Sequence, residues 1–500
     1  MPHRSVVAAG VFVLIAFLCW LCFFNGIDLL APLDKTEALQ LEIARSMAVS
    51  GDWVTPATDG LPYFDKPPLP YWIGALLLRL APQAPWLPRL GAATAGCIGL
   101  GATLLLCRFG RSDGASLRGL SRAVSAAAIL GLMPAYAGFS RIALHDIYLT
   151  ASITTALTIV FLLSRHGGQS PRQQALAGWL TGIALGVGVL AKGLLSLALP
   201  FATASVFLTV AGPAARRPFT WRFAAALLLG LVLVALPWHL AAWHDQGNAF
   251  LANYLGRSHL SRFTSELDDH AGPWFYYLLA YPALTAPWSL PALAALIQGD
   301  ALDPRHWRRR LRSEPLLVLC TIWIAVTVGL LSLASTKLPH YILSSLPPTA
   351  IAAAHFFWPS QQPQPASDRL SRILLGIIAA LLLAAALLLG WMPSLLIPTS
   401  RNAAAFSLAL RALLGSPATV AGLALLGVCG GWAAWRGRRP RLGLGALLAA
   451  CVIGLLLLAP PVMQAYRVTV QEPRLALADR ACGRRAGMNR SRWWARAGIP

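Results

Sequence analysis

Apolar residues occur in separate runs along the chain, and polar connectors divide these runs. A run of about 20 apolar residues crosses the roughly 30 Å hydrocarbon core of a bilayer as one helix. The candidate runs lie near 6–26, 88–107, 122–139, 146–164, 175–190, 194–211, 223–243, 275–297, 315–334, 341–358, 371–392, 413–435 and 442–460. The pattern predicts an all-α polytopic membrane protein with about 13 transmembrane helices.

The first long polar connector, over residues 28–72, departs from the plain membrane-helix pattern. Residues 36–49 carry an apolar stripe and place Glu42 three positions before Arg45, as in an amphipathic helix with an i,i+3 ion pair. We expect this helix to lie on the outer surface of the membrane. An extended segment should follow it, because the prolines at 67–68 exclude a helix there.

The second long connector covers residues 244–274 and carries carboxylates, arginines and histidines. Ionisable groups are costly near hydrocarbon, so this composition favours a functional loop over a simple connector. The apolar pattern ends near residue 460, which divides the chain into a transmembrane domain, 1–460, and a short basic tail, 461–500. We expect the tail on the periplasmic side.

The charge distribution predicts the orientation and the class of partner. The chain is 57% hydrophobic and only 12% charged, which excludes a soluble globular protein. Its net charge of +22 comes from Lys and Arg that concentrate on every second connector, which is typical of cytoplasmic loops. Because this topology explains the charge, we expect no nucleic-acid partner. Twelve of the 19 carboxylates fall on the opposite face. The chemistry is therefore expected at the outer face.

Carboxylates, cations and hydroxyl groups at one membrane face suit the transfer of a sugar from a lipid phosphate. A carboxylate takes the proton of an acceptor hydroxyl, while Lys and Arg stabilise the departing phosphate. A polytopic lipid or sugar transporter or flippase is the alternative, since it uses the same residue types. A transporter would place these charges at the midplane on broken helices and would show an internal repeat. In this sequence the charges lie at outer helix ends, and no such repeat is visible.

Short motifs in the connectors resemble those of bacterial C-type (GT-C) glycosyltransferases, in the branch of the protein O-mannosyltransferases and the aminoarabinose lipid A transferase. They occur in the family's order over residues 30–345, nearly two thirds of the chain. The motifs are Thr36-Glu37-Ala38 with 42–45, 50–53, Tyr63-Phe64-Asp65-Lys66-Pro67-Pro68, 141–146, Lys192-Gly193, 257–263, 273–277 and Lys337-Leu338-Pro339-His340-Tyr341. Each motif is weak alone, and their order and spacing make the resemblance specific.

The resemblance implies inverting transfer from a polyprenyl-phosphate sugar of the undecaprenyl-phosphate type, at the periplasmic face of the bacterial inner membrane. It implies lipid A, another glycan or a protein as acceptor, and membrane lipids as neighbours. The family's acidic pair is kept only as Glu37, because Thr36 stands in the first place. The catalytic base is then Glu37 or Asp146, the latter matching the family's acid before the fourth helix.

The same resemblance assigns residues around the donor. The positions that match its phosphate and donor contacts are Tyr63, Lys66, Lys192, Arg262 and Tyr341. In some members an acid and a histidine hold a metal, and these would be Asp65 and His259 in this sequence. Two such ligands alone are a weak metal signal, so the sequence leaves a bound divalent metal ion open.

Overall fold

The computed structural model describes residues 2–29, 31–32, 35–110, 116–165, 168–254, 256, 272–298, 301–359, 369–378, 380–381 and 440–467. This part of the chain is helical apart from connectors and one hairpin, in which β1 (Ala57–Thr58) pairs antiparallel with β2 (Leu61–Pro62). The helices are α1 (Pro2–Cys19), α2 (Lys35–Ser50), α3 (Leu69–Leu80), α4 (Arg89–Phe109), α5 (Leu117–Leu132), α6 (Pro134–Phe139), α7 (Asp146–Arg165), α8 (Pro171–Lys192), α9 (Leu195–Ala211), α10 (Pro213–Arg216), α11 (Trp221–Leu251), α12 (Tyr276–Thr285), α13 (Ser289–Gln298), α14 (Trp307–Ser313), α15 (Pro315–Leu333), α16 (Leu346–Phe357) and α17 (Pro440–Tyr466).

Within the described residues, six helical segments are long and apolar enough to cross a membrane, and a bent pair makes a seventh candidate. The six are Val6–Phe24, Arg89–Phe109, Asp146–Arg165, Pro171–Lys192, Trp221–Tyr254 and Pro315–Leu333. Five of them coincide closely with a predicted run, and Trp221–Tyr254 extends the run 223–243 into the predicted loop 244–274. The all-α, polytopic membrane architecture is confirmed. The count of about 13 spans stays a prediction. The run 413–435 and most of 371–392 lie outside the described residues.

Proline interrupts three other predicted runs. In the run 122–139, α5 ends just before Pro134, where α6 begins. The run 275–297 consists of α12 and α13, which meet at 108° across a break that contains Pro287. The run 341–358 begins as a 3-10 helix, and α16 follows with prolines in its first turn. Proline lacks a backbone N–H and clashes with the preceding turn, so it ends one helix and suits the start of the next.

The first connector folds as two helices around the hairpin. The predicted amphipathic helix is confirmed as α2, with the expected Glu42–Arg45 ion pair at 2.8 Å. Its apolar stripe packs against α3, since Met47 shares a buried cluster with Tyr71. The sequence pattern missed α3, which begins at Leu69 inside the predicted connector and has a proline in its first turn. Two helices and a hairpin therefore cover the end of the bundle at this point.

Glycines allow α8 and α11 to pack at very short distance. A Cβ atom at Gly178 would lie 2.2 Å from the carbonyl oxygen of Phe223, and one at Gly182 would lie 2.1 Å from that of Leu227. Small residues let helix backbones approach closely where the surrounding lipid supplies no hydrophobic driving force. This contact fixes the position of α8, and with it the position of Lys192 at the end of that helix.

Candidate active site

One buried ion pair joins the first residue of α7 to the last residue of α8. Lys192 Nζ donates a hydrogen bond to Asp146 Oδ1, and the two side chains are only 7% and 8% exposed. The charges suit their places, because a helix N-terminus favours an anion and a helix C-terminus favours a cation. Directly after Lys192, Gly193 turns the chain with a φ of 76°, a conformation that residues with a Cβ rarely adopt.

The 3-10 helix Pro339–Ser345 adds two ring side chains to this ion pair. Lys192 Nζ lies 4.3 Å from the centroid of the Tyr341 ring, within the range of a cation–π contact. His340 Nε2 lies 3.9 Å from Asp146 Oδ2, which is too long for a hydrogen bond. Among the described residues, the hydrogen bond from Lys192 reaches Oδ1 only. Oδ2 of Asp146 therefore keeps capacity for another donor.

The first connector reaches the same place through His145, which directly precedes Asp146. Its imidazole is buried, packs against the Tyr71 ring at 5.1 Å and hydrogen-bonds the backbone of Pro67. Burial, reinforced by the positive charge of Lys66, lowers the pKa of His145 to about 3. His145 is therefore neutral at physiological pH, and it lies beside the segment that carries Lys66.

Lys66 itself forms an ion pair with its neighbour Asp65, with Nζ 2.5 Å from Oδ2. Both side chains are partly exposed, at 18% and 24%. Tyr63, on the same extended segment, packs at the edge of the buried cluster that joins α2 to α3. These three predicted donor-binding or metal-binding residues thus follow one another on a segment that borders His145.

Glu37 lies in a different environment. Its side chain is fully buried and accepts two hydrogen bonds from Arg89, from Nε at 2.7 Å and from Nη2 at 3.0 Å. Its Oε1 also accepts the backbone N–H of Ala143 at 3.1 Å. Arg89 in turn donates to the carbonyl oxygens of Ile27 and Ala31. Glu37 thus ties α2 and α4 to the segment that carries Asp146.

The structure therefore brings most of the predicted site residues to one end of the bundle. Asp146, Lys192 and Tyr341 are in direct contact, while Tyr63, Asp65 and Lys66 lie on the neighbouring segment and Glu37 holds the segment before α7. The predicted residues His259 and Arg262 lie outside the described residues.

Three side chains at this site were not assigned a role from the sequence. His145 and His340 each stand directly before a predicted residue, inside motifs that the sequence analysis had quoted. Arg89 opens α4 and reads in the sequence as an ordinary charge at a helix end. The structure shows that it is buried and paired. Only the long-range contact with Glu37 distinguishes it, and one sequence does not reveal that contact.

The described residues contain no group of three or more His, Cys, Asp and Glu side chains that could hold a metal ion. Asp65, one of the two predicted ligands, is ion-paired with Lys66. A carboxylate already paired with a cation is a poor metal ligand, and the bound divalent metal ion stays a prediction.

Comparison with known proteins agrees with the family predicted from the motifs. Residues 7–245 match the family model of dolichyl-phosphate-mannose-protein mannosyltransferase. The undecaprenyl phosphate-alpha-4-amino-4-deoxy-L-arabinose arabinosyl transferase of Pseudomonas aeruginosa is 30% identical over 346 residues, 66% of this chain and 57% of the relative. The protein of the same name from Pseudomonas savastanoi pv. phaseolicola is 31% identical over 353 residues, 69% of this chain and 60% of the relative. The chain thus spans less than two thirds of the length of these relatives.

Solved structures show the same fold over nearly the whole chain. The crystal structure of ArnT from Cupriavidus metallidurans bound to undecaprenyl phosphate superposes with a TM-score of 0.74 and 22% identity. The superposition covers 98% of this chain and 84% of the ArnT chain. The apo structure of the same enzyme gives a TM-score of 0.72. By its sequence and its fold, the protein is therefore similar to the ArnT-like branch of the dolichyl-phosphate-mannose-protein mannosyltransferases, and it has the GT-C membrane fold.

Proposed function

We propose that the protein is a membrane glycosyltransferase that moves a sugar from a polyprenyl phosphate to an acceptor outside the cytoplasmic membrane. The observation that carries this proposal is the buried Asp146–Lys192 pair at the end of two membrane helices, with Tyr341 against the lysine. A proton acceptor and a cation for a phosphate thus lie together, as this transfer requires. The names of the relatives, which describe a transferase and undecaprenyl phosphate, support the proposal.

The proposed reaction is a single displacement. The oxygen or nitrogen of the acceptor attacks the anomeric carbon of the sugar, and the bond from that carbon to the phosphate oxygen breaks. The phosphate oxygen keeps the electron pair, so polyprenyl phosphate leaves while Lys192 and Lys66 stabilise its charge. Asp146 accepts the proton of the acceptor at Oδ2. Attack from the face opposite the leaving group inverts the configuration of the anomeric carbon.

Asp146 is the better base of the two predicted carboxylates. Its Oδ2 lies 3.9 Å from His340 and keeps capacity for a hydrogen bond from an acceptor. Glu37 is fully buried, and both of its oxygens already accept hydrogen bonds from Arg89. A general base must come within hydrogen-bond reach of the proton that it removes. We therefore assign proton removal to Asp146 and the positioning of its segment to Glu37.

We place the reaction at the periplasmic face of the bacterial inner membrane. The Lys and Arg of the chain concentrate on the connectors at the other face, as cytoplasmic loops do. The lipid tail of the donor would lie among the membrane helices, and its phosphate would reach Lys192 and Lys66 at their ends. Arg262 is the further phosphate ligand that the family motif proposes. The relatives' names make 4-amino-4-deoxy-L-arabinose the first sugar to test, and lipid A, another glycan and a protein are the acceptors to test with it.

The experiment is mass spectrometry of polyprenyl phosphates, lipid A and other envelope glycans from matched bacterial strains. The strains carry the intact gene, a deletion, Asp146→Asn, or Glu42→Gln as a control. Glu42 is a suitable control because its only described partner is Arg45, one helical turn away on α2. We expect one polyprenyl-phosphate sugar to accumulate, and one envelope sugar to disappear, in the deletion and Asp146→Asn strains only.

Two results would contradict the proposal in different ways. A changed profile on deletion with a normal profile in Asp146→Asn would show that Asp146 is not the base. It would also make transport of a lipid-linked sugar the leading explanation. A sugar missing from the envelope without accumulation of any polyprenyl-phosphate sugar would reject the donor class. Quantification of the protein in the membrane fraction of each strain shows that the variants are present in equal amount.

A further inference from the structure

A cavity of about 860 Å³ lies at the opposite end of α7 from the proposed active site. Asp146 begins this helix and Arg165, which lines the cavity, ends it. A helix rises 1.5 Å per residue, so the two sites are roughly 30 Å apart. The walls come from the end of α7, the start of α8, the turn between α9 and α10, and α14. No step of the proposed transfer uses any of these segments.

Five arginines line the cavity, and no Asp or Glu is among its lining residues in the described part of the chain. They are Arg165, Arg216, Arg217, Arg308 and Arg312. They come from segments that lie far apart in the sequence. Positive charge on one membrane face is ordinary in a polytopic protein, but that rule does not require arginines from distant segments to share one cavity. This convergence distinguishes the cavity from a simple basic surface.

The two arginines of α14 that line the cavity are arranged at a cost to the stability of the helix. Arg308 and Arg312 stand four positions apart on this helix, so their side chains are neighbours on one face. Like charges at this spacing destabilise a helix. Neither side chain forms an ion pair with a described residue, and both are exposed to solvent. Their positive charge is therefore available to a ligand that enters from the aqueous side.

The opposite wall is held in place by the protein's own hydrogen bonds. Arg216 donates from Nε to the carbonyl oxygen of Leu208 at 2.9 Å and from Nη2 to that of Thr209 at 3.1 Å. Gln174 accepts a hydrogen bond from Thr220 at 2.8 Å, which links the starts of α8 and α11 beside the cavity. An arginine held in this way loses little freedom when it binds an anion, so binding is favoured.

We propose that this cavity binds a ligand with two or more phosphate groups. Guanidinium groups bind phosphate oxygens in pairs of parallel hydrogen bonds, and several arginines without a carboxylate exceed the charge of one phosphodiester. The volume suits a ligand of this size. A cardiolipin headgroup in the adjacent leaflet and a soluble diphosphate both present this chemistry. The inference does not depend on the proposed transfer reaction.

The test uses the full-length protein and two matched double variants. Arg308→Gln with Arg312→Gln removes two charges from the cavity. Arg222→Gln with Arg305→Gln removes two charges from neighbouring segments that do not line it. Each protein is titrated with sodium diphosphate in detergent. Each is also reconstituted in phosphatidylcholine vesicles with and without cardiolipin, and its melting temperature is measured.

The unmodified protein and the control variant should be stabilised by at least one probe. For the cavity variant, the concentration of that probe at half effect should rise by roughly tenfold or more. Stabilisation by cardiolipin alone identifies a lipid headgroup, and stabilisation by diphosphate alone identifies a soluble ligand. Stabilisation by both shows that the site recognises the phosphates themselves. The proposal is overturned if neither probe stabilises the protein, or if the control variant loses as much as the cavity variant.

Discussion

Two buried ion pairs lie at the same end of the helix bundle and differ in how fully the protein uses their hydrogen-bonding capacity. In the Glu37–Arg89 pair, a two-pronged contact is completed by one backbone N–H and two backbone carbonyl groups. In the Asp146–Lys192 pair, a single hydrogen bond joins the side chains, and among the described residues the rings of His340 and Tyr341 lie next to them.

Under the proposed function, this difference distinguishes a structural pair from a reactive one. Arginine presents a rigid fork that fits a carboxylate, whereas lysine is a compact charge on a flexible stem. A buried pair whose hydrogen bonds are all formed is stable, but it keeps no hydrogen-bonding capacity for a substrate. An incompletely satisfied pair is available to an acceptor proton on the acid and to a phosphate on the lysine. Under the proposed function, the acid that keeps spare hydrogen-bonding capacity, rather than the more fully buried acid, is the expected base.

The largest expected effect comes from breaking the satisfied pair. Arg89→Met leaves the Glu37 carboxylate charged, buried and without its fork, which should lower the free energy of unfolding by about 3–5 kcal/mol. Thermal unfolding of the purified protein measures this loss. Adding Glu37→Gln to the same chain removes the stranded charge and should restore part of the stability. Equal stability of Arg89→Met and the unmodified protein would show that the pair is not structural.

Removing the lysine of the other pair should lower activity with the donor per folded molecule, and it should also cost stability because the buried Asp146 carboxylate loses its cation. In Lys192→Met, a charge-assisted contact to the phosphate is lost, worth about 1.5–3 kcal/mol, or roughly a 10- to 100-fold fall in kcat/KM. Lys192→Arg should recover part of it. Lys337→Met is the matched control, because Lys337 Nζ donates to the backbone carbonyl groups of Ser332 and Ala334. If both methionine variants lose the same activity, the effect is not specific to the pair.

A pH titration of stability tests the buried, neutral imidazole of His145. Burial lowers the pKa of His145 to about 3, from 6.5 in the unfolded chain. Between these values the unfolded chain binds a proton that the folded chain does not, so stability falls as the pH drops below 6.5. The slope from this one group should approach about 1.4 kcal/mol per pH unit.

Unfolding is measured at several pH values between neutral and acidic. In His145→Gln the dependence of stability on pH should be flatter by about that slope. His244→Gln removes an exposed histidine and serves as the control. An acid dependence that stays unchanged in His145→Gln would mean that the imidazole is not held neutral by its surroundings.

The smallest effect is expected for the Glu42–Arg45 pair, which is more exposed than the two buried pairs. The Glu42–Arg45 pair lies on α2, and its arginine side chain is 43% exposed. Exposed pairs one turn apart on a helix contribute only about 0.2–0.5 kcal/mol. Glu42→Gln should therefore leave the melting temperature almost unchanged, and added salt should weaken even this contribution. A loss as large as that of Arg89→Met would show that α2 depends on surface charge rather than on its packing against α3.

The sequence predicts the helices of this fold better than their breaks. Uniform apolar runs such as 146–164 and 315–334 became helices close to the predicted bounds, because membrane-spanning length and composition are local properties. The bend between α12 and α13 and the short helix α3 were missed. Apolar periodicity does not show whether a proline ends a helix or begins one, and the answer depends on what packs around it.

The candidate site shows a similar division. Motif order predicted a site that includes Asp146, Lys192 and Tyr341, and the structure brings these residues into contact, while their function stays a prediction. The sequence did not separate Glu37 from Asp146 as the base, because Thr36 replaces one member of the family's acidic pair. Only the contact of Glu37 with Arg89, 52 positions away, distinguishes the two. Such a pairing is a property of the folded chain.

The most direct test of this account compares Asp146→Asn with Glu37→Gln in one transfer assay. Activity with a polyprenyl-phosphate sugar is measured per folded molecule, and the folded fraction is measured on the same samples. A general base contributes about 10²–10⁴-fold, so Asp146→Asn should lose activity by that factor while it stays folded. Glu37→Gln should lose folded protein and keep its activity per folded molecule. The reverse pattern would contradict the account and make Glu37 the base.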